Sequence, residues 1–184
     1  MIISKSQLAR ITLNESQNRA YSAISAATSV FLSHKHSDRT QLFRIKNLLE
    51  SLGISVYIDW LDASLPEITR GETGKIIKQK IKQYDKFILV ATDAAIASQW
   101  CNWELGLGDA EKYSKDKIAL FPLKEDNKSW SGTEYMEIYP VIEYEDGTRK
   151  NTNNMYIERG YYVKYPYKQN GSREYVSLKH WLNK

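Results

Sequence analysis

Short apolar runs alternate with stretches of helical period through the middle of the chain. Val30-Phe31-Leu32-Ser33 ends in the polar segment His34-Lys35-His36-Ser37-Asp38, as a buried strand feeding a loop does. Asp38 followed by Gln41 forms a capping-box pattern. Leu42, Ile45, Leu48, Leu49 and Leu52 then recur at helical intervals until Gly53 stops the helix. Ile54, Val56 and Ile58 alternate with Ser55, Tyr57 and Asp59, which predicts a strand. A long loop carrying Pro66, Gly71 and Gly74 is expected next, followed by a helix with Ile76, Ile77 and Ile81. Residues 86–92 read as a fully buried strand, Ser98 to about Lys115 as a helix, and 118–123 as another strand.

This alternation predicts an α/β fold, a parallel sheet with helices on both faces. Loops leaving the carboxyl ends of such strands share one crevice, so the segments starting at Ser33, Asp59 and Thr92 should converge. Residues 1–28 are polar, with Leu8, Ile11, Tyr21 and Ile24 at roughly helical spacing, and are expected to form a helical N-terminal extension. Residues 29–125 then make the core. From 126 to 184 the pattern blurs, and nine of the 13 tyrosines lie from Tyr135 onward. A strand or hairpin over 156–167 and a closing helix over 174–182 are expected there. With no linker before it, this Tyr-rich C-terminal extension belongs to the same domain. Its tyrosines suit packing and hydrogen bonding better than base stacking.

Composition narrows the class. A chain of 184 residues, 42% hydrophobic and 26% charged, can bury one core of its own. Its longest apolar run, Phe87-Ile88-Leu89-Val90-Ala91, is too short to span a bilayer, and Arg10, Asn14, Glu15 and Asn18 interrupt any signal core. One cysteine excludes an internal disulfide, which fits a reducing compartment, so a cytoplasmic location is expected with no membrane partner. The net charge of +4 is mild, and Lys75, Lys78, Lys80 and Lys82 read as the solvated face of a helix. No nucleic-acid-binding motif is present, so no nucleic-acid partner is expected.

The sharpest chemistry lies in Ser98-Gln99-Trp100-Cys101-Asn102-Trp103-Glu104-Leu105-Gly106. Ser98 can cap the helix, and Trp100 and Glu104, four apart, share a face. Such a pair is ordinarily a packing ring beside a solvated charge. At the start of a helix leaving the common crevice, however, the ring can shield the carboxylate from water. A shielded carboxylate suits a developing cation. Other motifs fall short. Gly71-Glu72-Thr73-Gly74-Lys75 lacks the phosphate-loop spacing, and Cys101 has no evident histidine base. His34 and His36 lack a nearby third ligand, so no metal centre is expected.

Four segments taken in order resemble successive motifs of a bacterial Toll/interleukin-1 receptor (TIR) domain. They are residues 29–34, 53–59 and 87–90, then the helix start Ser98 to Gly106, and the resemblance covers roughly 29–123. It implies a flavodoxin-like fold and, in many bacterial and plant members, cleavage of NAD at the nicotinamide–ribose bond. NAD is then the substrate and no cofactor is needed. Some members release ADP-ribose, while others close it into a cyclic isomer that reaches a separate effector protein. The resemblance places the catalytic glutamate on Glu104 and its aromatic partner on Trp100. It places the substrate-touching loop on Ser33, His34 and Lys35, and the acidic residue of the following loop on Asp59. His34 stands where many relatives carry Tyr or Phe. Self-association through TIR surfaces is implied as well. A non-catalytic TIR interaction module, with Glu104 structural, is the rival expectation.

Overall fold

A computed structural model of the chain describes residues 1–16, 28–65, 71–167 and 173–184. Its strands are β1 (Ile3–Ser4), β2 (Thr28–Ser33), β3 (Ile54–Tyr57), β4 (Lys86–Ala91), β5 (Ile118–Lys124), β6 (Val141–Glu145), β7 (Gly160–Lys164) and β8 (Tyr175–Ser177). They form one sheet in the order β3-β2-β4-β5-β6-β7-β8, with β1 paired to β5. Pairing is parallel from β3 to β6 and antiparallel from β6 to β8. The expected parallel α/β sheet is therefore present, and the C-terminal region extends it as an antiparallel flank.

Among the described residues six α-helices cover the sheet: α1 (Lys5–Ser16), α2 (Arg39–Ser51), α3 (Gly71–Gln83), α4 (Asp93–Ile96), α5 (Gln99–Lys112) and α6 (Leu178–Asn183). On one face, Leu8 of α1, Leu42, Ile45 and Leu49 of α2, and Trp181 of α6 bury against Val30, Leu32, Ile88 and Val90. On the other, Ile77 and Ile81 of α3 and Leu105 of α5 meet Phe31, Phe87, Leu89 and Leu120. Alternate residues of β2 and β4 thus feed both cores, which is why these strands are apolar throughout. Gly108 lets α5 approach closely, since a Cβ there would stand 2.9 Å from the Phe87 ring.

Four expectations are corrected. Ile3–Ser4 joins the sheet in parallel to β5 (Ile3 opposite Leu123), and Leu8 is fully buried, so this segment is part of the core rather than an appendage. Tyr21 and Ile24 lie outside the described residues. Asp38 precedes α2 but its side chain caps nothing. Its carboxylate instead accepts from the Thr92 hydroxyl at 2.6 Å and pairs with Lys5 at 3.3 Å, a pull that the capping pattern does not reveal. Gly71 and Gly74 belong to α3, so helix begins earlier than their identity suggests, while Pro66 lies outside the described residues. Strand β6 was not anticipated at all. Among the described residues, no helix is long and apolar enough to cross a membrane.

Candidate active site

The chain leaves β2 through α2 to β3 on one side, whereas β4 adds to the other side of β2. Helices α2 and α3 consequently cover opposite faces, which makes the carboxyl ends of β2 and β4 the switch point where a sheet of this kind forms its crevice. Ser33 is the last residue of β2, Thr92 follows β4, and Asp59 follows β3 by two residues. Helix α5 starts beside them. Ser98 takes the expected cap position, its Oγ accepting from the Cys101 N–H at 3.5 Å.

Glu104, in the second turn of α5, is 2% exposed. The Ser33 hydroxyl donates to its Oε2 at 2.5 Å. Burial pushes the Glu104 carboxyl up to about 8, against the Ser33 hydrogen bond, which favours the anion. The charge of Asp59 adds to the rise, and the Trp100 indole works with Ser33 against it. Among the described residues no lysine, arginine or histidine forms an ion pair with Glu104. A buried carboxylate supported only by neutral donors lacks a positive charge and will interact strongly with one brought into the crevice.

Trp100 is half-buried one turn before Glu104, its ring centroid 5.0 Å from that of Trp103. Both indoles reach toward Gly74 of α3, where a Cβ would stand 3.7 Å from Trp103 and 3.9 Å from Trp100. The expected ring beside the carboxylate is therefore in place.

His34 is buried. Its Nδ1 lies 3.2 Å from the Leu32 carbonyl, and its Nε2 lies 3.6 Å from Asp59 Oδ1. Burial holds its pKa below the ordinary value, against the nearby Asp59 charge. The ring packs edge-on to His36 at 5.6 Å. Asp59 accepts from the Trp60 N–H at 2.7 Å and also lies 3.7 Å from His36 Nε2. The third group that seemed missing beside the two histidines is thus supplied by Asp59, brought in from the next strand. Lys35 is exposed, its side chain in solvent at the rim.

Cys101 sits under the same loop, its thiol donating to the His34 carbonyl at 3.3 Å. Burial pushes that thiol up to about 11, which makes it a packing group and not a nucleophile. Two residues that sequence reasoning missed close the far side. The Trp130 indole N–H donates to the Ala91 carbonyl at the end of β4 at 2.7 Å, and the Tyr135 hydroxyl donates to Asn102 of α5 at 2.8 Å. A lone tryptophan in a polar stretch was the only signal for this cover.

A buried carboxylate at the switch point of this strand order, held by neutral donors alone, agrees with the motifs read from the sequence. The family described as TIR domain matches residues 30–154. The chain belongs to the TIR domain family. This TIR domain is 26% identical over 183 residues to a protein of Bacillus cereus strain MSX-D12 named "Probable 3' cyclic ADP-D-ribose synthase ThsB'", covering 97% of this chain and 84% of that one. It is 31% identical over 140 residues to "Putative cyclic ADP-D-ribose synthase TIR2" of Cytobacillus dafuensis, covering 67% of this chain and 35% of the relative. The second relative is therefore much longer than the shared region.

Proposed function

We propose that this TIR domain cleaves the nicotinamide–ribose bond of NAD and closes the remaining ADP-ribose into a cyclic product. The observation that carries the reading is Glu104, buried and, among the described residues, without an ion-paired cation. NAD brings a positive charge to the bond that breaks. The bonding pair leaves with nicotinamide, which departs neutral and needs no general acid. Positive charge then develops on the ribose, where the Glu104 carboxylate stabilises it as catalytic residue. A nucleophilic group of the same ADP-ribose captures C1′; where it is a hydroxyl, its proton passes to the Glu104 carboxylate and from there to solvent. Capture by water would yield linear ADP-ribose, so exclusion of water favours the ring.

Ser33 orients Glu104, and Trp100 walls the ribose side. His34 and Asp59 border the substrate, with Lys35 placed to meet the pyrophosphate. The names of both relatives, cyclic ADP-ribose synthases, support the cyclising outcome. The sequence resemblance extends to the TIR protein of the Thoeris anti-phage defence system. On that footing the cyclic product activates a separate effector protein in the cytoplasm, and self-association through TIR surfaces raises turnover. The rival, a purely interacting TIR module, does not require a partnerless buried carboxylate.

The test is NAD consumption and chromatography of the products, for the wild type and Glu104→Gln, across a dilution series. Loss of the cyclic product in a folded Glu104→Gln variant is expected. Near wild-type turnover in that variant overturns the assignment.

A further inference from the structure

We propose that His34, His36 and Asp59 form a binding site for a divalent transition-metal ion of the zinc type, at the edge of the crevice holding Glu104. The three groups come from the loop after β2 and the turn after β3. One ligand atom from each lies within 4.8 Å of the others. The Asp59 oxygens stand 3.6 Å from His34 Nε2 and 3.7 Å from His36 Nε2. Ligand atoms around a tetrahedral zinc ion are separated by about 3.4 Å, given bonds of about 2.0–2.2 Å. The two histidines face different Asp59 oxygens, so closing on one ion requires the exposed His36 to swing inward and leaves a fourth position open.

The second, independent observation is the state of His34. A carbonyl can only accept, so the contact of Nδ1 with Leu32 puts the ring proton on Nδ1. Nε2 is then a bare lone pair, and it points at a carboxylate. Its side chain is 2% exposed and this atom has no hydrogen-bond partner among the described residues. A buried lone pair facing a carboxylate is repulsive unless a proton or a metal cation stands between them. The bond from the distal ring nitrogen to a backbone carbonyl is also what orients metal-ligating histidines. The Asp59 carboxylate is fixed in turn by the Trp60 N–H.

Two imidazoles and one carboxylate favour zinc-type ions over magnesium or calcium, which prefer oxygen cages. His36 is 59% exposed, which provides an entry path and freedom to swing onto the ion. A bound ion would tie the β2 loop to the β3 turn next to Ser33, the residue that holds Glu104. The site shares His34 and Asp59 with the substrate border proposed above, but metal binding is read without NAD, so its test and that of the NAD reading can fail separately.

The experiment strips the purified chain with a chelator and titrates it with zinc chloride by calorimetry, then with cobalt chloride by visible absorption. One ion per chain is expected, with micromolar or tighter affinity and cobalt d–d bands of a low-coordinate site. His36→Ala and Asp59→Asn should each weaken binding at least about tenfold while keeping the chelated protein's melting temperature within a few degrees; His180→Ala, at the exposed third histidine, should change nothing. Absence of saturable binding overturns the proposal. So does unchanged affinity in the His36→Ala/Asp59→Asn double variant, or a cobalt–thiolate charge-transfer band implicating Cys101.

Discussion

Glu104 lies against the parallel half of the sheet and Glu143 in the antiparallel half, 2% and 7% exposed respectively. Glu143 meets Lys164 of the neighbouring strand at 2.7 Å. Burial raises its pKa, but Lys164 and the Met1 amino group, 3.2 Å from its Oε2, together outweigh that and leave it below the ordinary 4.5. Next to it Glu145, 1% exposed, accepts from the Tyr175 hydroxyl and pairs with Arg149 at 3.3 Å. Glu104 has a hydroxyl and an indole where Glu143 has an ammonium group, and it is pushed up to about 8. Burial alone therefore does not mark a functional carboxylate. The discriminating feature is whether the fold supplies the countercharge or leaves it to a ligand.

The largest expected effect is that of Glu104→Gln, which keeps the shape and removes the charge. NAD turnover should fall about a hundred- to a thousand-fold. Melting temperature should hold or rise, because a destabilised buried charge disappears. The same glutamate predicts a pH signature. kcat/KM should climb as pH rises toward about 8, as the free enzyme's carboxyl ionises. Stability attributable to Glu104 is full below 4.5, falls as pH rises from there to about 8, and is level above. Comparing melting curves of wild type and Glu104→Gln from pH 5 to 9 checks this: a difference that does not change with pH would break the comparison.

Glu143→Gln should do the reverse. It leaves Lys164 without its partner and should cost about 1–3 kcal/mol, discounted because Lys164 is partly exposed, with turnover per folded molecule unchanged. Its contribution is present above 4.5 and lost as pH falls through the lowered folded value. Chemical denaturation at pH 7 and pH 4 measures both. A loss of turnover exceeding the loss of folded protein would put Glu143 on the functional side of the divide.

Ser33→Ala removes the hydroxyl that favours the Glu104 anion. Turnover at pH 7 should drop about tenfold or more, on the scale of a hydrogen bond to a charged group. The pH profile should also shift upward, so that part of the loss returns near pH 9. A loss independent of pH would mean that Ser33 acts only by shape. Trp100→Ala should have a modest effect on stability. The ring is half-buried, so about 1–2 kcal/mol is expected instead of the 3–5 of a core tryptophan. The fall in turnover should exceed what that unfolding explains. A large drop in melting temperature with unchanged turnover would make Trp100 a packing residue.

The two halves of the sheet also differ in how well they were legible. β2 and β4 are buried on both faces, so their runs are wholly apolar and stand out between helices of clear period. In β6 and β7 the core positions are shared with Glu143, Glu145 and tyrosines such as Tyr144 and Tyr161. The polar atoms of Glu143, Glu145 and Tyr144 meet Lys164, Tyr175 and Arg159, partners that no local pattern announces. In the crevice, the Trp100 and Glu104 pair was legible because helical spacing alone sets it. The role of Asp38 was misread because the capping pattern is local, and its real partners Thr92 and Lys5 are remote.

Sequence alone determined the alternation of strand and helix, the convergence of the β2, β3 and β4 loops, and the face shared by Trp100 and Glu104. These follow from backbone periodicity and from the short reach of a helix turn. Only the tertiary structure decided which polar groups would be buried and with whom. It placed Ser33 against Glu104 across 71 residues and withheld a cation from it. It also carried Asp59 to His34 and His36 and added the antiparallel flank. Electrostatics in a dry interior depends on separations of a few ångströms between groups distant along the chain, and those separations exist only once the sheet has formed.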